Sequence, residues 1–228
     1  MNISLVIPCF NEAANLPYLF KKLDKLLLNS NYEVILVNNG SEDNTLNLLN
    51  KYKEEHHNVQ CVSLKKNIGY GNGILKGLEK ANGELLAWTH ADMQTDPNDV
   101  KAGEIFFKKN QNNTFVKGKR HSRPIVDQIF TIGMSIFASL RLKKRLWDIN
   151  AQPTIFHKSL MQKWHNPPKD FSLDLFAYYQ AKKLGYKINR FPVKFNNRLY
   201  GTSHWNFSFS SKIKFIKRTV EYIIKLSK

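Results

Sequence analysis

The chain has 228 residues, 42% of them hydrophobic and 12% aromatic, which suffices for one substantial core in a single domain. Its 35 Lys plus Arg against 18 Asp plus Glu give a formal charge of +17, so an anionic partner is expected: nucleotide, phospholipid or nucleic acid. Two cysteines, Cys9 and Cys61, lie in apolar runs without metal-ligand spacing, which excludes a disulfide framework and fits a reducing, cytosolic compartment. The run at residues 3–7 is too short for a signal-peptide core and has no basic leader, so export is not expected. The longest apolar stretch, 129–140, is about half of the roughly 20 residues a membrane span needs, and no transmembrane helix is expected.

Strand-like and helix-like runs alternate through the first half, the pattern of β-α-β units and a mainly parallel sheet. Residues 3–7, 34–37, 59–64 and 85–88 read as buried strands. Leu16, Leu19, Phe20, Leu23, Leu26 and Leu27 recur at helical spacing, with Asn15 as cap and Pro17 in the first turn. Further helices are predicted over 44–55 and 73–81. Open sheets of this kind bind ligands outside the carboxyl ends of their strands, so loops 8–12, 38–43, 65–73 and 89–97 are expected to carry the chemistry. They are rich in Asn, Gly, Asp and His rather than in solvating Lys and Glu.

Beyond them, Lys117, Lys119 and Arg120 follow the strand-like pair Phe115-Val116. Surface charge is their ordinary reading and phosphate contact the functional one. An apolar helix over 125–142 runs into Arg141, Lys143, Lys144 and Arg145. A helix at 173–184 precedes a strand at 187–195. The last segment, 207–228, sets Phe209, Ile213, Ile216, Val220 and Ile223 at helical intervals among six Lys or Arg.

Four ordered patterns carry a family resemblance: Val6-Ile7-Pro8-Cys9-Phe10-Asn11-Glu12; residues 37–45, including Asn38, Asn39 and Asp43; residues 67–73; and His90-Ala91-Asp92-Met93-Gln94-Thr95-Asp96-Pro97. Together with the segment Arg198 to Trp205, they resemble family 2 glycosyltransferases of GT-A fold, in the branch of dolichyl-phosphate mannose synthase and polyprenyl-phosphate glycosyltransferases. The resemblance covers about residues 3–206. It implies an α/β fold: a GT-A, Rossmann-like, mainly parallel central sheet flanked by helices, with a C-terminal amphipathic helix. Residues 1–206 then form the glycosyltransferase domain, and 207–228 a basic helix of the same domain or a membrane-surface appendage.

What the resemblance implies for single residues can be set beside their chemistry. A departing nucleoside diphosphate develops negative charge, which a divalent Mn²⁺ or Mg²⁺ stabilises as a Lewis acid. The family supplies Asp-any-Asp where this chain has His90-Ala91-Asp92. Asp92 takes the place of the second carboxylate, and Gln94 matches a polar position after it. His90 removes one negative charge and offers nitrogen, a shift from Mg²⁺ towards Mn²⁺, or else serves as a hydrogen-bonding loop residue. Pro8, Asn11, Glu12, Asn38, Asn39, Asp43 and Ala91 are implied around the nucleotide sugar; Asn38-Asn39 stands where carboxylates are usual, leaving base identity open.

Asp174 stands where relatives carry an acidic residue near the acceptor, and a helix cap is its alternative. Asp148 matches an Asp of the lipid-phosphate branch, while Ala151-Gln152 replaces the family's Ser-Gly pair. Arg120, Asp148, Gln152, Arg198, Ser203 and His204 are expected at the phosphate and acceptor end, with Arg198 able to grip phosphate oxygens bidentately.

The activity so implied is inverting transfer of a sugar from a nucleotide-sugar donor to a lipid-linked acceptor, polyprenyl phosphate or glycolipid, at the cytoplasmic membrane surface. Transfer to a soluble or polysaccharide hydroxyl, and a nucleotide-sugar-binding protein without turnover, are the alternatives. The 125–145 segment and the C-terminal helix each join an apolar face to a basic margin, as helices lying in a headgroup layer do. A peripheral protein on an anionic inner membrane face is therefore expected; the competing reading packs both helices on the sheet with the charges outward. No nucleic-acid partner is expected, since charge is its only support and no base-reading element is found.

Overall fold

The computed structural model describes residues 2–29, 31–107, 112–121, 125–201 and 209–227. Ser203 and His204 lie outside the described residues. Strands β1 (Ile3–Cys9), β2 (Tyr32–Asn39), β3 (Val59–Leu64) and β4 (Leu85–Trp88) are joined by helices α1 (Leu16–Leu27), α2 (Thr45–Glu55) and α3 (Tyr70–Leu78). There follow α4 (Asp99–Glu104), β5 (Thr114–His121), α5 (Ile125–Leu142), β6 (Thr154–His157), α6 (Lys158–Met161), α7 (Leu173–Lys183), β7 (Lys187–Lys194) and α8 (Phe209–Leu226).

The seven strands form one sheet in the order β3-β2-β1-β4-β6-β5-β7. β6 runs antiparallel to both neighbours, and every other pairing is parallel. The sheet is buried on both faces, which is why its central strands read as continuous apolar runs rather than alternating ones. In β1, Ile3, Leu5 and Ile7 meet Leu16, Leu19, Leu23 and Leu26 of α1 on one face. Val6 turns to the other, where Ile74 and Leu78 of α3 and the α7 residues Leu173, Phe176 and Ala177 pack.

Three local expectations are corrected. Asn15 occupies the N-cap position of α1 with helical backbone and makes no side-chain cap. Its amide instead donates to Glu12 Oε2 at 2.6 Å and to the Tyr200 carbonyl at 3.3 Å. Helix α3 begins at Tyr70, not at residue 73. Gly69 turns the chain at φ 137°, and Gly71 sits so close to the 168–170 backbone that a Cβ would lie 2.5 Å from the Asp170 carbonyl oxygen. Finally, the Asn38-Asn39 pair ends β2 rather than opening a loop, because parallel pairing with β3 continues through it.

Candidate active site

The loops after β1, β2 and β4 converge on a cavity of about 840 Å³ whose wall also includes residues of α5 and α8. The first two loops are laced together. The Glu12 amide donates to Thr45 Oγ1 at 2.9 Å, the Ala13 amide to Asp43 Oδ2 at 3.1 Å, and the Glu42 amide to Asn11 Oδ1 at 2.9 Å. Asn11 takes a left-handed backbone, φ 54°, in making this turn. Burial works against ionised Asp43, but hydrogen bonds from Thr45 and Ala13 outweigh it and hold the carboxyl below its ordinary range. Burial pushes Glu12 up to about 7; the Asn15 hydrogen bond opposes this, Asp92 adds to it, and Arg198 lowers it.

In the loop after β4, Asp92 Oδ1 accepts the Gln94 amide at 3.1 Å, and Oδ2 takes Arg198 Nη2 at 2.7 Å. Arg198 Nη1 also lies 3.7 Å from Glu12 Oε1, so one guanidinium ties the loops after β1 and β4. His90 stacks on Tyr70 at 5.2 Å, Tyr70 on Phe171 at 4.7 Å, and the Arg218 guanidinium lies 5.5 Å over the Phe171 ring. This column carries the wall from the loop after β4 to α8.

Asp92 and His90 put one carboxylate and one imidazole on the cavity wall. Oxygen plus nitrogen is a donor set that Mn²⁺ accepts readily and Mg²⁺ less so. Among the described residues no group of three or more His, Cys, Asp or Glu is placed to share an ion, so a bound cation would draw most of its shell from ligand oxygens and water.

Residues 4–144, more than half of the chain, fit the profile of the family described as Glycosyl transferase family 2. The chain belongs to glycosyltransferase family 2. It is 28% identical over 221 residues to a dolichyl-phosphate beta-glucosyltransferase of Trichomonas vaginalis, covering 85% of this chain and 65% of that one. It is 32% identical over 136 residues to an undecaprenyl-phosphate 4-deoxy-4-formamido-L-arabinose transferase of Enterobacter sp., covering 54% and 41%. The chain thus spans less than two thirds of the length of these curated relatives. In three dimensions it resembles the glucosyl-3-phosphoglycerate synthase of Mycobacterium tuberculosis, crystallised with Mn²⁺, UDP and glucosyl-3-phosphoglycerate. The TM-score is 0.75 at 15% identity, over 99% of this chain and 79% of that one. The expected GT-A architecture is the one observed.

Against this family 2 framework, the cavity wall includes Pro8, Asn11, Glu12, Asn39 and Asp43 from the first two loops. His90, Ala91, Asp92 and Gln94 reach it from the third, and Arg120, Asp174 and Arg198 from later segments. Three residues expected in contact with ligand stand behind the wall instead. Asn38 is buried, donating to Ser63 Oγ at 3.0 Å and accepting the Ser41 amide at 3.1 Å. Gln152 is buried and donates to Asp174 Oδ1 at 2.6 Å.

Asp148 is the third. It accepts the Arg120 amide at 3.0 Å and Arg120 Nε at 2.9 Å, with Arg190 Nη2 3.5 Å away. Burial opposes its charge, yet the two guanidinium groups hold its carboxyl below the ordinary range. Asp174 does not cap α7: it lies within the first turn, after Ser172, and is buried against Trp88 Nε1 at 3.1 Å. Lys117 is not surface charge; β5 is longer than the pair 115–116 that signals it, and Lys117 is fully buried inside it.

Sequence reasoning does not single out Tyr70, Phe171 and Arg218, which read as ordinary helix or loop residues. Helical spacing gives no signal for Arg218, which stands two positions from Ile216 and outside the apolar stripe of α8, although both residues line the cavity.

Proposed function

We propose that this chain transfers a sugar, with inversion, from a nucleotide-sugar donor to a lipid-linked phosphate acceptor, working peripherally on the cytoplasmic face of a membrane. One observation carries the reading: a single cavity is lined by two chemically different sets of residues, which we read as a donor end and an acceptor end. One end holds Asn11, Asn39, Asp43, His90 and Asp92. The other holds Phe130 and Met134 of α5, Phe195, Ile216 and the guanidinium groups of Arg120 and Arg218. The second end borders an exposed apolar ridge on α5, where Ile129 is 63% and Leu140 76% exposed, with Ile136 and Phe137 between them. A ridge of this kind on a surface otherwise rich in cations suits the boundary of an anionic bilayer. Six Lys or Arg in the 207–228 segment add about 1 kcal/mol each near such lipid. Among the described residues no helix is long and apolar enough to cross a membrane.

In this reading Pro8, Asn11, Glu12, Asn39 and Asp43 seat the nucleoside. Asp92 and His90 hold Mn²⁺ or Mg²⁺, which when bound offsets charge on the diphosphate. Arg198, released from its ion pair with Asp92, grips a diphosphate oxygen. The acceptor oxygen approaches the anomeric carbon from the side opposite the leaving diphosphate, which inverts the configuration. A phosphate acceptor is already ionised and needs no general base, which leaves Asp174 to orient the reacting groups; a hydroxyl acceptor would use Asp174 as its base. Dolichyl and undecaprenyl phosphate, in the names of the relatives, support the first acceptor.

The test is a panel of nucleotide sugars with Mn²⁺ and a polyprenyl-phosphate extract. Label appearing in lipid is the expected result; label appearing only on soluble hydroxyl acceptors would move the assignment, and no turnover of any donor would leave a binding protein. Two further outcomes are expected. Arg218→Gln raises the acceptor KM about tenfold and leaves the donor KM unchanged in initial-rate measurements, the scale of one charged hydrogen bond. Ile136→Glu weakens sedimentation with anionic vesicles by about tenfold or more, because a buried Ile contributes about 1.5 kcal/mol or more.

A further inference from the structure

Lys117 is fully buried, and the sheet seals it from solvent. Its Nζ donates to Thr154 Oγ1 at 2.8 Å and lies 3.8 Å from Asp174 Oδ1. Trp88 Nε1 and Gln152 Nε2 address the same carboxylate oxygen at 3.1 and 2.6 Å. Strands β4, β5 and β6, the segment entering β6 and helix α7 thus each contribute one side chain to a knot behind the cavity wall, and only Asp174 of these five reaches the cavity. Burial draws Lys117 down to about 8; Asp174 and Asp148 raise it, and Arg190 and Arg120 lower it. The Tyr178 ring, 6.0 Å away, completes its surroundings.

A buried ion pair is a poor source of stability, since apolar residues of like volume often do as well. Its position is therefore better explained by what it does to Asp174. We propose that Lys117 is a positioning residue for Asp174, balancing the charge of a carboxylate that Trp88 and Gln152 fix at the acceptor end of the cavity. The proposal rests on the reading of that end given above.

A double-mutant cycle tests it, with Lys117→Met, Asp174→Asn and the double variant compared in kcat, donor KM and urea unfolding. The parent background should lose about tenfold or more in kcat on Lys117→Met with donor KM unchanged, and the Asp174→Asn background less than about twofold, since the residues act as a unit. Equal losses in both backgrounds, or no loss in the parent, overturn the proposal. Where Lys117→Met does not fold, Lys117→Gln replaces it. The pair Asp174→Asn and double variant still reads the effect of Lys117 once the acid is gone, and a fall of about tenfold there overturns the proposal. Asp174→Asn as active as the parent would remove Asp174 from the acceptor end. The unfolding free energies of the four proteins test the Lys117–Asp174 pair without any substrate.

Discussion

Replacing Asp92 by Asn is expected to lower sugar transfer by about 10²–10³-fold, with far-ultraviolet circular dichroism and melting temperature close to the parent's. The side chain keeps its shape but loses its charge. Of the two oxygens, one accepts the Gln94 amide and the other pairs with Arg198. An amide retains one acceptor and so holds the loop. On the proposed reading, what is lost is the anionic ligand that draws a divalent cation to the leaving diphosphate, and isothermal titration of Mn²⁺ with the nucleoside diphosphate of the active donor should show weaker metal-dependent nucleotide binding. Transfer at the parental rate would sink the role given to this residue. Loss of transfer with metal binding intact would point to Arg198, whose guanidinium would then pair less well with the neutral amide of the variant and drift towards Glu12.

Asp148→Ala is expected to destabilise the protein by about 3–5 kcal/mol, read as a shift of the urea midpoint, because it leaves buried cations without their anion. Arg120 and Arg190 both address this carboxylate, and both are largely buried. Its backbone, at φ 45°, also suits Ala less well than Asp. The pH dependence follows from the same contacts. A carboxyl depressed in the folded state adds stability that is present above its unfolded pKa, about 4, and is lost as pH falls through the folded value. The parent should therefore lose this increment at acid pH, and Asp148→Asn should lack that fall. Glu12 acts in the opposite sense: with a folded pKa of about 7, its contribution is present below the unfolded value and lost as pH rises through 7.

Much of the first half was legible because burial on both faces of the sheet writes itself as unbroken apolar runs. Residues 3–7 and 85–88 carry that mark, and the leucines of α1 mark their helix by spacing. The loops after those strands were found through their amides and carboxylates. What local pattern does not encode is the layer behind them. Nothing in the neighbourhood of Lys117 distinguishes a core cation from a solvated one, since its partner Asp174 is far along the chain. Asn38, Asp148 and Gln152 have polar side chains that look like ligand contacts in a motif, yet their hydrogen bonds are spent inside the protein. Strand β6 is hard to see because its four residues hold only two apolar side chains, Ile155 and Phe156, between Thr154 and His157, unlike the unbroken run of β4; the start of α3 is obscured by Gly71, which weakens a helix unless packing, here against the 168–170 backbone, demands it.

The reversed direction of β6 has a consequence for how the molecule divides into working and idle ends. In a wholly parallel sheet, segments that enter strands lie at the end remote from ligand. Here Thr154, the first residue of β6, pairs with Trp88 and Lys117, so the entering segment 148–153 arrives at the business end, while the exit at His157 pairs with Leu85. Helix α6 is consequently tethered at the far rim, where the Lys158 amide meets the Glu84 carbonyl at 2.9 Å. A peptide tag spliced between α6 and α7 at the exposed residues 165–166, past Trp164 and its packing on Phe156 and Phe176, would hang from the idle rim, whereas the same splice at 148–153 would disorganise both Asp148 and Gln152.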